Sequence, residues 1–81
     1  MKLKDTTQMM CSEDYKERFK AEYHQLKIRC DKLADLMYRY AQNKLDIELS
    51  CPADLLIAQL GTMNAYLLFL KQRAEIEGIP I

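Results

Sequence analysis

The stretch YKERFKAEYHQLKIRCDKLADLMYRY, residues 15–40, carries the longest periodic pattern in this chain. Its residues Tyr15, Phe19, Tyr23, Leu26, Cys30, Leu33, Met37 and Tyr40 recur at spacings of three and four, the period that lays them along one side of an α-helix. Just upstream, Ser12 offers an N-cap oxygen, with Glu13 and Asp14 in the first turn, where acid meets the unpartnered N–H groups of a helix start. The spacing predicts a helix over residues 12–40, roughly 42 Å long at about 1.5 Å per residue.

Downstream, AQNKLDIELS (41–50) is polar, with an alternating Leu45, Ile47 and Leu49 suited to an extended turn packed under the end of a hairpin, so residues 41–51 read as a connector. Ser50, Pro52 and Asp54 form a second helix start, since proline is tolerated in a first turn and acid is favoured there. Leu56, Leu60, Met63, Leu67, Leu70 and Ala74 form the stripe of a helix over residues 52–77, closed by Gly78 with Pro80 beyond. Residues 1–11 form an N-terminal arm or short helix, which periodicity leaves open. Two helices of similar length and a short connector predict an all-α protein, a long antiparallel helical hairpin over residues 12–81. Ile57, Tyr66 and Phe69 widen the second stripe beyond what one partner helix covers. The spare surface, and the difficulty of stabilising 81 residues alone, point to a homo-oligomer.

Several function classes fall away. Cys11, Cys30 and Cys51 are odd in number and lack a CxxC spacing, so they predict neither a disulfide framework nor a metal site. Neither a GxGxxG nor a GxxxxGK loop is present, and His24, the only histidine, reads as a solvated helix-face residue. The chain is expected not to be an enzyme and to need no cofactor. A formal net charge of zero argues against broad DNA binding. The apolar start of a signal peptide and a membrane-spanning run are not expected either, which predicts an intracellular protein without a membrane partner.

The charges are nevertheless unevenly spread. Residues 16–32 hold Lys16, Arg18, Lys20, Lys27, Arg29 and Lys32 against only Glu17, Glu22 and Asp31. At about 100° per residue from Lys16, Lys27 and Lys20 fall near 20° and 40° with Tyr23 beside them at about 340°, whereas Arg18 and Arg29 fall near 200° and 220° toward Tyr15 at about 260°. Cations thus edge the apolar stripe on both sides, each edge with a tyrosine. Such residues can simply snorkel along a half-buried rim. They can equally stack a base on a tyrosine while Lys or Arg meets its phosphate, a combination suited to a small doubly anionic ligand. Gly61, Thr62 and Asn64 likewise mark either a close helix approach or a polar pocket on a symmetry axis.

The segments YKERFKAEYHQLKIRCDKLADLM (15–37) and LLIAQLGTMNAYLLFLKQRAEI (55–76) resemble the helical-hairpin domain of small bacteriophage anti-CBASS proteins, sponges for cyclic nucleotide signals, within them the T-even phage branch. The matched features are Tyr15, Arg18, Glu22 and Leu26, then Gln59, Leu60, Met63, Tyr66 and Arg73, over residues 14–77. CBASS is a bacterial immune system in which a cyclic nucleotide activates a lethal effector. The resemblance implies a homohexamer that holds cyclic dinucleotides such as 3′,3′-cGAMP between protomers without cleaving them, in the cytoplasm of the infected bacterium. In some relatives it also implies cyclic trinucleotides in an axial pocket, and related hairpins capture the ADP-ribose-derived signal of Thoeris defence. It maps an early aromatic and a later base onto Tyr15 with Lys27 or Arg29.

The ligand-binding residues expected are therefore Tyr15, Arg18, Tyr23, Lys27 and Arg29, with Thr62 and Asn64 for a second pocket. The competing readings are a regulatory coiled coil that binds a helix of a host protein, and a small nucleic-acid-binding regulator.

Overall fold

The computed structural model describes residues 1–45 and 48–81. A 3-10 turn at Leu3–Thr6 leads into α1, Thr7–Met10; the long helices are α2, Tyr15–Ala41, and α3, Ala53–Glu77. The two long helices pack against each other, and α1 and the 3-10 turn pack on α2.

α2 starts later than Ser12 because Asp14 takes the cap: its backbone is extended and its carboxylate accepts from the Lys16 N–H at 3.0 Å. Ser12 instead accepts from the Asp14 N–H at 3.1 Å, bracing the turn before the helix. A carboxylate satisfies an orphan helix N–H as well as a hydroxyl does and adds a favourable charge at the positive end of the helix. At the other end Asn43 adopts φ +56°, a left-handed conformation that asparagine tolerates, and the Lys44 N–H reaches the Arg39 carbonyl at 2.9 Å. In the connector, Ile47 of the expected Leu45–Ile47–Leu49 alternation lies outside the described residues.

α3 is capped at Pro52 and ends at Gly78, whose φ of +69° is free of the Cβ clash that other residues would meet. That turn sends the chain back: the Ile79 N–H bonds the Ala74 carbonyl at 2.8 Å and the Ile79 side chain is buried. Ile79 joins Phe19, Leu70 and Ala74 in the core, with Tyr23 and Leu26 packed against it. The α2 stripe is buried at Phe19, Cys30 and Met37, whereas Tyr15 and Tyr40 are exposed near its ends.

The N-terminal segment is a docked arm. Thr6 has no exposed surface; its hydroxyl donates to the Leu3 carbonyl at 2.7 Å and accepts from the Gln25 amide at 2.9 Å. Ala21, one turn before Gln25 on the same face of α2, is also fully buried.

One expectation is overturned in α3. A window of this helix has a mean hydropathy of 1.4, so by length and composition α3 is long and apolar enough to cross a membrane. Only 11% of that window is buried within the chain, which leaves most of its apolar surface open.

Candidate ligand-binding site

The antiparallel pairing brings the start of α2 against the end of α3. There the Tyr15 hydroxyl donates to Glu77 Oε1 at 3.3 Å, and Arg73 Nε donates to Glu77 Oε2, also at 3.3 Å. One carboxylate thus ties an aromatic ring and a guanidinium into a single cluster. The Arg73 guanidinium lies 4.9 Å from the centre of the Phe19 ring, a cation–π contact that anchors it on the core. Tyr15 is 49% exposed, so its ring remains available for stacking. Removal of water around the phenol, followed by the hydrogen bond and charge of Glu77, pushes the Tyr15 pKa above its ordinary value; Asp14 adds to this and Arg73 opposes it.

Arg73 and Glu77 are not among the ligand-binding residues expected from the sequence. Each stands near the C-terminal end of the second stripe, and only the antiparallel pairing places them beside Tyr15, 62 residues away in sequence from Glu77.

The other expected residues are distributed along α2. Arg18 turns back to donate to the Ser12 carbonyl at 2.7 Å, tying it to the helix start. Tyr23 is half-buried, its ring edge-to-face with His24 at 5.3 Å, so His24 is less solvated than expected. Lys27 is bound to Asp31 at 2.8 Å, and that hydrogen bond, then the Asp31 charge, raises the Lys27 pKa. Arg29 makes no ion pair among the described residues. It lines an open groove of about 330 Å³ with Lys32, Leu33 and Leu36 of α2 and Gln59 and Met63 of α3.

Tyr15 and Arg29 are separated by roughly 21 Å along the helix axis. One chain therefore does not bring the early aromatic and the later cation onto a single small ligand. Thr62 and Asn64 also part company: Thr62 donates to the Ala58 carbonyl of its own helix at 3.2 Å, whereas Asn64 accepts from the buried Cys30 thiol of α2 at 2.9 Å. No group of three or more metal-ligating side chains is present among the described residues.

The family model Sequestin matches residues 13–76. The chain belongs to the Sequestin family. Membership points to a sequestering function, one of binding, and is consistent with the resemblance to phage sponges. The Sequestin match begins one residue before the Asp14 cap and ends one residue before Glu77, so it spans both long helices and leaves the docked arm outside. No curated protein and no solved structure matches the chain.

Proposed function

We propose that this protein is a stoichiometric trap for a nucleotide immune signal, holding it intact and away from its effector during phage infection. The observation that carries this reading is the Tyr15–Glu77–Arg73 cluster: an exposed ring for a base beside a guanidinium for a phosphate, fixed by one carboxylate. The ligand is a small nucleotide with two or more phosphates. 3′,3′-cGAMP comes first, cyclic trinucleotides and the ADP-ribose-derived signal follow. The trap is placed in the cytoplasm of the infected bacterium, as a T-even phage sponge, with residues 12–81 as the trapping hairpin and 1–11 as its arm.

Trapping requires no lowered reaction barrier, but it does require affinity: nanomolar binding corresponds to about 12 kcal/mol. One ring and one guanidinium fall short of that. Two protomers, one contributing Tyr15 and the other Lys27 or Arg29, supply more contacts on a preorganised frame, and the roughly 18 to 21 Å between Tyr15 and these cations in one chain favours such sharing. The assembly is accordingly a homo-oligomer, with a hexamer as the expected form.

Titration calorimetry of 3′,3′-cGAMP into the purified protein, with recovery of the ligand by chromatography, tests this. Binding at less than one ligand per chain with intact messenger supports the shared trap. Binding of only the ADP-ribose-derived signal keeps the trap and replaces its ligand, whereas no heat with any of these nucleotides overturns it. The apolar surface of α3 would then favour a regulator that binds a helix of a host protein.

A further inference from the structure

Glu77 touches both halves of the candidate site. Its carboxylate accepts from Arg73 Nε and, across the hairpin, from the Tyr15 hydroxyl, each at 3.3 Å. A carboxylate paired with an arginine one turn earlier is ordinary on a helix, but the second contact, from α2, holds this one between the ring and the guanidinium. The Glu77 side chain is 29% exposed against 54% for Arg73, so the cation is the more open of the two. Of the N–H groups on the Arg73 fork, only that of Nε is hydrogen-bonded among the described residues, which leaves the outer edge of the fork for a ligand oxygen.

A phosphate that meets this edge also meets the field of Glu77. Glu77, Asp14 and Arg73 all act on the Tyr15 phenol through their charge, two carboxylates to one guanidinium. The cluster therefore offers directed N–H groups whose positive charge is already offset. A phosphodiester, with a single negative charge, meets little repulsion there. A terminal phosphomonoester carries about −1.5 to −2 at pH 7 and brings the additional charge against a carboxylate. We propose that Glu77 is a specificity-determining residue, which admits nucleotides joined only through phosphodiesters and turns away those that end in a phosphomonoester.

An unpaired cation does the opposite. Arg29 makes no ion pair among the described residues, and a site built on such a cation alone favours the more highly charged phosphate. Cyclic messengers contain only phosphodiesters, whereas mononucleotides and ring-opened dinucleotides end in a phosphomonoester. The distinction matters for a stoichiometric trap, because a trap filled by common mononucleotides captures no signal.

This filter rests on the nucleotide site read at the Tyr15–Glu77–Arg73 cluster, and the experiment separates the two. Bound 3′,3′-cGAMP is competed with the linear dinucleotides GpA and pGpA, which differ only in the 5′-phosphate, on the wild-type chain and on Glu77→Gln, Glu77→Asp and Tyr15→Ala variants of unchanged far-ultraviolet circular dichroism. The wild type should prefer GpA. Glu77→Gln, whose amide oxygen still accepts from Arg73 and Tyr15, should shift the ratio of the two dissociation constants about tenfold toward pGpA. Glu77→Asp keeps the charge and should keep the preference, and added salt should shrink it. If Tyr15→Ala weakens 3′,3′-cGAMP binding while wild type and Glu77→Gln give the same ratio, the filter is overturned and the trap stands. Equal shifts in Glu77→Gln and Glu77→Asp assign Glu77 a packing role and also overturn the filter. No binding of 3′,3′-cGAMP, or a Tyr15→Ala variant of full affinity, overturns the site and the filter together.

Discussion

Tyr15 and Glu77 close the end of the hairpin, phenol to carboxylate at 3.3 Å, and join the first residue of α2 to the last of α3. This contact should be visible in the titration of the phenol. Its raised pKa means that the folded state retains the phenolic proton more strongly than the unfolded chain. The associated stability is fully present below the ordinary tyrosine value of about 10 and is lost as pH rises through the folded value. Glu77→Gln should lower the Tyr15 midpoint in an ultraviolet titration; an unmoved midpoint would show that the carboxylate does not act on the phenol.

Binding should respond in opposite directions at two positions. Tyr15→Ala removes the ring proposed to stack on a base, and calorimetry should show affinity weakened by about tenfold to a hundredfold, in line with about 1–3 kcal/mol per stacked base. Asp31→Ala releases Lys27 from its ion pair. If Lys27 meets a phosphate, the released ammonium should strengthen binding at low salt, and an unchanged affinity would assign that contact to Arg29.

Leu70 is 1% exposed in the core beside Phe19, Ala74 and Ile79. Leu70→Ala leaves a cavity between the helices and should cost about 2–5 kcal/mol. Urea denaturation at fixed protein concentration measures it. A loss below about 1 kcal/mol would mean that the helices close over the gap.

Thr6→Val keeps the shape of the arm but removes the hydroxyl that accepts from the Gln25 amide at 2.9 Å and donates to the Leu3 carbonyl at 2.7 Å. Losing these two part-buried hydrogen bonds should cost about 1–3 kcal/mol. Hydrogen exchange should speed up over residues 3–10 while α3 keeps its protection. Equal acceleration in α3 would make the arm part of the global folding unit.

The helical character of the chain was legible from local chemistry. The three-and-four spacing from Tyr15 to Tyr40 and the glycine at the end of α3 are short-range signals, because helix period and left-handed caps depend on residues within a turn or two. The exact N-cap was less legible, since Ser12 and Asp14 are both suitable caps and the preceding turn decides between them.

Local sequence chemistry was enough for two long helices, the first of them amphipathic and cationic, and for more apolar surface than one hairpin can hide. Which distant groups meet is a property of the packed molecule: Tyr15 with Glu77, Cys30 with Asn64 and Thr6 with Gln25, separated by 62, 34 and 19 residues. Those contacts follow from the register of the helices and the docking of the arm. Both are set by packing summed over the whole interface, and no local spacing encodes that sum.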